Sequence, residues 1–222
     1  KAEDRPICQD TGMTIVFLEI GQDLHIAGGD LEEAVNAGVA KGYTEGYLRK
    51  SVVAEPLFNR KNTQNNTPAV IYTSIVPGDK LKITVGPKGF GSENKSDIKM
   101  LVPADGVEGV KKAVLDIILH ASCNPCPPMV VGVGIGGTMD RAAYYSKKAL
   151  VRSINERNPM PEYAKLEGEL LEMINKTGIG PQLGGTVSAL AVNVEWGPTH
   201  IAGLPVAVTI CCHAMRHKDR VL

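Results

Sequence analysis

Residues 129–137 read Met-Val-Val-Gly-Val-Gly-Ile-Gly-Gly, and this stretch decides the fold class. Its first part, Met129–Val133, is a short apolar run rich in valine, which is typical of a buried strand. The glycines end that run, and Thr138–Ile154 then has the signals of a helix, with a threonine cap and the acidic Asp140 near its start. A strand that passes through a glycine turn into a helix is the unit from which α/β proteins are built.

The same alternation of strands and helices continues on both sides of this stretch. Further strands, most of them rich in valine and isoleucine, are predicted at Thr14–Ile20, Ala69–Val76, Lys80–Val85, Val187–Trp196 and Pro205–Cys211. Further helices are predicted at Asp30–Leu48, Asp105–His120 and Glu162–Lys176. Because the two kinds of element are interleaved and no composition shift marks a boundary, we expect one α/β domain, residues 1–222, with a mixed β-sheet and packed helices.

The tetrapeptide Val76-Pro77-Gly78-Asp79 separates two of the predicted strands. Proline and glycine at its centre are typical turn residues. The sequence therefore predicts a hairpin at this point.

The run Gly132–Gly137 matches the pattern G-x-G-x-x-G between a predicted strand and a predicted helix. A dinucleotide site also needs a parallel strand ending in an acidic residue after that helix, and a second helix follows instead. Two interpretations remain open. The loop amides and the helix N-terminus could bind an anion such as a carboxylate, or the glycines could serve only for tight packing.

A second glycine-rich segment, Gly86–Ser96, lacks the lysine that a phosphate-binding P-loop needs after its last glycine. It offers a flexible backbone and several polar donors, among them Lys88 and Lys95. A substrate loop and a plain surface loop are both compatible with this composition.

The charge balance limits the partners of the chain. The 222 residues contain 24 Lys and Arg against 24 Asp and Glu, so the formal net charge is zero. Nucleic-acid or acidic-membrane binding over a broad surface is not expected, because both need a basic field. No apolar run approaches the roughly 20 residues of a membrane helix, so we expect no membrane partner.

The chain has five cysteines, an odd number, whereas a secreted disulfide framework needs an even one. The count therefore predicts a cytoplasmic protein with reduced, catalytic or metal-bound thiols. Cys123 and Cys126 form a C-x-x-C, but prolines follow at once, so neither a thioredoxin-like dithiol nor a zinc ribbon is supported. Cys8 and Cys126 each lie shortly before a predicted strand, and Cys212 lies at the end of a third. They could converge on a soft metal centre such as an iron–sulfur cluster, or they could be inert buried thiols.

Taken together, these segments resemble the class I, iron–sulfur fumarate hydratases and the related L-tartrate dehydratases. The resemblance is to the α subunit of two-subunit forms or to the N-terminal domain of single-chain forms, and it covers almost the whole chain. The matching elements, in family order, are Cys8-Gln9-Asp10-Thr11-Gly12, Leu48-Arg49, Gly91-Ser92-Glu93-Asn94-Lys95, Cys126-Pro127-Pro128 with the Gly132–Gly137 run, His200-Ile201-Ala202-Gly203-Leu204-Pro205-Val206 and Cys212-His213-Ala214-Met215-Arg216.

The resemblance implies a cofactor and its ligands. Cys8, Cys126 and Cys212 would hold a [4Fe–4S] cluster by three irons and leave the fourth iron open to substrate. Cys126 matches the family ligand directly before two prolines, and Cys212 matches the ligand four residues before an arginine. Cys123 and Cys211 then become spare thiols.

The resemblance also implies roles in catalysis. The family interconverts fumarate and malate, and the open iron acts as a Lewis acid on the leaving hydroxide. Asp10 would be the acid near that hydroxyl, while Gln9, Arg49 and Gly91 would bind the substrate carboxylates.

The resemblance implies that the catalytic base and further substrate arginines belong to a β subunit or C-terminal domain, which we expect to be separate from these 222 residues, and we do not expect the family's N-terminal helical extension before Cys8. We therefore expect half of an active site, little activity without the partner, and a homo- or hetero-oligomer acting on a small dicarboxylate. Two other classes compete with this hypothesis: a non-catalytic dicarboxylate-binding or redox-responsive module of the same fold, and a zinc-stabilised structural protein.

Overall fold

The computed structural model describes residues 7–181 and 184–222 and shows an α/β structure, as predicted. Its described elements in chain order are β1 (Met13–Gly21), α1 (Leu31–Glu45), β2 (Val70–Val76), β3 (Leu81–Lys88), α2 (Phe90–Glu93), β4 (Asp97–Leu101), α3 (Gly106–Ala121), β5 (Met129–Gly136), α4 (Met139–Leu150), α5 (Pro161–Asn175), β6 (Ala189–Gly197), β7 (Leu204–Cys211) and β8 (Lys218–Val221). They form two compact units. Among the described residues, the first unit contains residues 7–90 together with Ala214–Leu222, and the second contains residues 91–181 and 184–213.

The sheet of the first unit has the strand order β2-β1-β3-β8. β1 and β2 are parallel, and α1 connects them, as a crossover between parallel strands requires. Asp30 caps α1 as predicted, because its carboxylate accepts a hydrogen bond from the main-chain N–H of Glu33 at 2.8 Å. A small core lies between this helix and the sheet, with Val16, Leu18, Val39 and Tyr43 as its buried members.

The hairpin predicted at Val76–Asp79 is wrong. β2 and β3 do not pair with each other, because β1 lies between them, parallel to β2 and antiparallel to β3. The turn passes the end of β1 and is hydrogen-bonded to the residue that follows this strand. The main-chain N–H of Gln22 donates to the carbonyl of Val76 at 2.8 Å. Proline and glycine indicated the turn correctly, but turn residues do not determine which strand fills the space beside it.

The sheet of the second unit has the strand order β4-β7-β5-β6 and helices on both faces. β5 and β6 are parallel and joined through α4 and α5, while β7 runs antiparallel to β5. Alternate residues of β5 point to opposite faces. Val131 and Val133 pack into the core with α3 and α5, whereas Gly132 and Gly134 face α4.

Within the described residues, no helix is both long and apolar enough to cross a membrane.

Candidate functional site

The segment before β1 folds around the carboxylate of Asp10. One carboxylate oxygen accepts the main-chain N–H of Gly12 at 3.0 Å, and the other accepts the N–H of Phe90 at 2.9 Å. The N–H of Asp10 itself points to the sulfur of Cys8 at 3.4 Å. Gly12 has a φ of +56°, and a Cβ there would overlap the carbonyl of Lys88, so this turn needs glycine. Cys8 and Asp10 are thereby held in one tight loop of the first unit.

The same loop is tied to the segment that carries Arg49. The hydroxyl of Thr11 donates to the carbonyl of Arg49 at 2.7 Å, and the hydroxyl of Tyr43 donates to the carbonyl of Thr11 at 2.7 Å. Burial raises the pKa of Tyr43, so this phenol stays a proton donor at neutral pH. Arg49 and Gln9 are exposed. The structure therefore brings together, in the first unit, four of the predicted site residues: Cys8, Gln9, Asp10 and Arg49.

Asn66 forms hydrogen bonds both to the loop that carries Asp10 and to the segment that follows Arg49. Its side chain is fully buried, and its backbone has a φ of +63°, which asparagine tolerates better than most residues. The side-chain oxygen accepts the main-chain N–H of Ser51 at 2.6 Å and that of Val52 at 3.2 Å, while the side-chain nitrogen donates to the carbonyl of Gly12 at 3.0 Å. One residue thus connects the Asp10 loop to the chain that follows Arg49.

Two of the predicted cluster ligands lie together in the second unit. Antiparallel pairing sets Cys211 of β7 opposite Val130 of β5, so Cys212 directly follows β7 where the chain enters β5. His213 donates its main-chain N–H to the carbonyl of Cys126 at 3.3 Å, and its ring Nδ1 lies 3.2 Å from the same oxygen. The backbones of Cys126 and Cys212 are therefore held side by side.

All five cysteines are thiols, and they differ in exposure. Cys126 is exposed and has a φ of +58°, whereas Cys212 and Cys8 are half-buried. Cys211 lies in the core with 1% of its surface exposed, and Cys123 is half-buried. Cys211 is the last residue of β7, whose consecutive residues Pro205–Cys211 are all buried, whereas Cys212 lies just beyond the end of that strand.

The three predicted ligands, Cys8, Cys126 and Cys212, have donor atoms that suit an iron–sulfur cluster, since thiolates are the ligands of such clusters. A reachable thiol at Cys126 beside Cys212 provides two such donors at one sheet end. No group of three or more His, Cys, Asp or Glu side chains is arranged to hold a metal ion in residues 7–181 and 184–222. Cys8 belongs to the first unit, and the other two predicted ligands, Cys126 and Cys212, belong to the second.

The glycines of β5 are used for close helix packing. A Cβ on Gly132 would overlap the carbonyl of Ser146, and one on Gly134 would overlap that of Ala142, so only glycine lets α4 lie this close. At the start of α4, the hydroxyl of Thr138 donates to the carboxylate of Asp140 at 2.5 Å, which lowers the pKa of that carboxyl. Since a carboxylate already occupies this helix end, the packing interpretation of the motif is favoured over the anion site.

The segment Gly86–Ser96 is not the flexible surface loop that its composition allowed. Its first residues belong to β3, and α2 follows. Lys88 is 3% exposed, so its ammonium is not offered to solvent as a donor. Gly91 is exposed in the second unit, where Lys147 of α4 pairs with Glu93.

Sequence reasoning missed Asn66, His213 and the burial of Lys88. Asn66 stands in the polar run Asn65-Asn66-Thr67, which looks like an ordinary exposed loop. Lys88 lies among glycines, and this spacing carries no periodic burial signal. His213 was detectable only as the neighbour of a predicted ligand.

Comparison with known proteins gives a consistent result. A family model described as "Fumarate hydratase (Fumerase)" matches residues 1–221. A protein of Methanocaldococcus jannaschii named "Putative L(+)-tartrate dehydratase subunit alpha" is 46% identical over 217 residues, which cover 95% of this chain and 76% of the relative. The "L(+)-tartrate dehydratase subunit alpha" of Escherichia coli K12 is 37% identical over 218 residues, which cover 96% of this chain and 71% of the relative.

Proposed function

The chain belongs to the class I fumarate hydratase (Fumerase) family, and from this membership we propose that it is the cluster-binding component of a hydro-lyase that reversibly hydrates fumarate to (S)-malate. The observation that carries the proposal is the family match over residues 1–221. In this proposal residues 1–222 correspond to the α subunit or to the N-terminal catalytic domain of a single-chain enzyme.

The proposed cofactor is a [4Fe–4S] cluster held by Cys8, Cys126 and Cys212. The exposure of the Cys126 thiol and the attachment of its backbone to the segment after β7 support this choice over Cys123. The core position of Cys211 supports Cys212 as the ligand of that adjacent pair. When bound, the cluster would supply a Lewis-acidic iron that makes hydroxide a better leaving group.

The proton transfer to the leaving group is assigned to a residue of the chain itself. Asp10 would deliver a proton to the leaving hydroxyl oxygen and take it back in the reverse direction. The two amides that bond its carboxylate fix the direction of its oxygens, so the carboxyl is oriented before substrate arrives.

Substrate would be held through its carboxylates. The guanidinium of Arg49 offers two parallel N–H donors to one carboxylate, and its exposure leaves it accessible. Gln9 and the main-chain N–H of Gly91 would add hydrogen bonds. Holding both carboxylates orients the carbon chain and makes proton transfer effectively intramolecular.

The proposed enzyme needs a second component. Both relatives described above carry names of alpha subunits, which implies a β subunit or an equivalent domain. That component would supply the catalytic base and further carboxylate-binding arginines, so the present chain alone is expected to show little or no activity. A reducing cytoplasm is the proposed location, because it would keep the thiols available for iron.

The second candidate reaction is the dehydration of L-tartrate. The names of the relatives, at 37% and 46% identity, favour it. Tartrate has one more hydroxyl than malate, so loss of water gives an enol that becomes a 2-oxo acid. Fumarate and the oxo acid are distinguishable products of the same type of elimination.

Both candidates are tested in one assay. The chain is co-produced with its β partner, reconstituted anaerobically with iron and sulfide, and supplied with malate or L-tartrate. We expect fumarate from malate, and we expect Asp10→Asn to abolish its formation while the exposed Asp23→Asn leaves it unchanged. An oxo acid from tartrate alone would establish the second candidate, and no product from either substrate would point to a non-catalytic dicarboxylate-binding module.

A further inference from the structure

The peptide group between Gly89 and Phe90 is hydrogen-bonded at both ends by charged side chains. Its carbonyl oxygen, on Gly89, accepts the ammonium of Lys88 at 2.8 Å. Its N–H, on Phe90, donates to a carboxylate oxygen of Asp10 at 2.9 Å. A single planar peptide therefore lies between a cation and an anion.

Lys88 occupies an unusual position for a lysine. It is the last residue of β3 and pairs in register with Met13 of β1, and only 3% of its surface is exposed. Removing an ammonium from water is costly unless the protein supplies compensating partners. A buried lysine next to the proposed acid is therefore a candidate for a specific task.

Gly89, which lies between Lys88 and Phe90, has to be small because it packs against the carboxylate of Asp10. A Cβ on Gly89 would lie 3.1 Å from a carboxylate oxygen of Asp10, which is closer than ordinary packing. Glycine thus allows the peptide to approach the carboxylate closely. The sequence Lys88-Gly89-Phe90 combines a cation, a close approach and a donating N–H in three consecutive residues.

Hydrogen bonds in such a chain strengthen each other. A cation on the carbonyl oxygen withdraws electrons from the peptide and makes its N–H a stronger donor. The N–H then binds the carboxylate of Asp10 more firmly than a neutral environment would allow.

We propose that Lys88 is a positioning residue for Asp10 and acts on it through the Gly89–Phe90 peptide. The inference rests on the proposed function, because it takes Asp10 as the acid at the leaving hydroxyl. Lys88 itself touches no reacting atom in this proposal. Because Asp10 acts on the leaving group and the carboxylates are bound elsewhere, loss of Lys88 should lower kcat and leave KM nearly unchanged.

The first test needs neither cluster nor partner. Amide hydrogen exchange is measured by NMR in the full chain, as wild type, Lys88→Met and Lys82→Met. Lys82 is the matched control, because it lies on the same strand and pairs with Glu19 at the surface. We expect exchange at Phe90 to accelerate about tenfold or more in Lys88→Met, while the β1–β3 ladder keeps its protection and Lys82→Met behaves as wild type. Unchanged exchange at Phe90 would overturn the inference.

The second test uses the reconstituted complex with its β partner. With rates expressed per bound cluster, Lys88→Met should lower kcat about tenfold to hundredfold and change KM less than threefold, and Lys88→Arg should recover part of kcat. If Lys88→Met does not fold, Lys88→Gln, which keeps a donor without the charge, takes its place in both tests. A loss confined to KM, or a kcat equal to wild type, would contradict the positioning role.

The two proposals fail in different ways. If Asp10→Asn is inactive and Lys88→Met is fully active, the proposed function stands and the positioning role is wrong. If the wild-type complex has no hydro-lyase activity, the proposed function is wrong, and the exchange rate at Phe90 still decides whether Lys88 supports that peptide.

Discussion

The side-chain nitrogen of Asn66 donates a hydrogen bond to the main-chain carbonyl oxygen of Gly12, with 3.0 Å between the two atoms. These residues are 54 positions apart, so the bond is a tertiary constraint on the loop that carries Cys8 and Asp10. The geometry of this loop thus depends on a residue far away in sequence and outside the proposed chemistry.

Replacing Asn66 by alanine is expected to destabilise the first unit by about 2–4 kcal/mol. Its oxygen accepts two main-chain N–H groups, and a buried group left unsatisfied costs about 1–3 kcal/mol. Urea denaturation measures the free energy of unfolding. The exposed Asn59→Ala is the control, expected within about 0.5 kcal/mol of wild type. Equal stability of both variants would show that the buried bonds contribute little.

Alanine at two glycines should have opposite effects. Gly134→Ala places a methyl group against the carbonyl of Ala142 and should destabilise the second unit by about 3 kcal/mol or prevent folding, because α4 would have to move away from β5. Gly168→Ala, in the middle of α5 with open space around it, should stabilise by about 1 kcal/mol through helix propensity. Thermal unfolding of both variants measures this contrast, and a stable Gly134→Ala would contradict the packing role assigned to the glycine motif.

Glu195 should make the second unit less stable as the pH rises. Burial raises the pKa of its carboxyl. The positive charge of Arg152 opposes this shift, and its Nε lies 3.2 Å from Oε1 of Glu195. The folded state therefore keeps a proton that the unfolded state has already lost. Because the folded state binds more protons in this range, stability falls as pH rises from the ordinary glutamate pKa through the raised folded value.

The variant Glu195→Gln removes this titration. Unfolding free energies of wild type and variant are compared across mildly acidic to neutral pH. The stability of wild type relative to the variant should decrease as pH rises and then level off. A difference that grows with pH would mean that Arg152 outweighs the effect of burial.

Arg49→Lys is expected to lower kcat/KM for the dicarboxylate about tenfold to hundredfold in the complex with its partner. Lysine keeps the charge but loses the planar pair of donors that matches a carboxylate. Arg60→Lys is the control, because Arg60 is also exposed and its guanidinium donates to a nearby carbonyl, that of Pro56. Equal effects of the two variants would remove Arg49 from the substrate site.

The sequence predicted the long strands and helices well, because each has a clear apolar pattern and a cap or turn at its end. It missed β4 and β8, two short strands whose sequences, Asp-Ile-Lys-Met-Leu and Lys-Asp-Arg-Val, are rich in charge. Both lie at sheet edges, where natural proteins place charged residues. A charged edge strand has no periodic apolar signal, and its pairing is a tertiary property.

Residue chemistry alone pointed to Cys8, through its thiol, whereas the roles of Asp10 and Arg49 were implied only by the family resemblance. The structure connects the segments that carry these three residues within the first unit. The burial of Lys88 and Asn66 could not be predicted, because it depends on which segments fold over them. A lysine among glycines is exposed in most sequences.

The most direct test of the account is the iron and sulfide content of the chain after anaerobic reconstitution, measured for five single cysteine variants. Cys8→Ser, Cys126→Ser and Cys212→Ser should each lose the cluster and its visible absorbance. Cys123→Ser and the core variant Cys211→Ala should retain it. Cluster uptake that is unaffected by all three ligand substitutions, or abolished by Cys123→Ser instead of Cys126→Ser, would contradict the proposed ligand set.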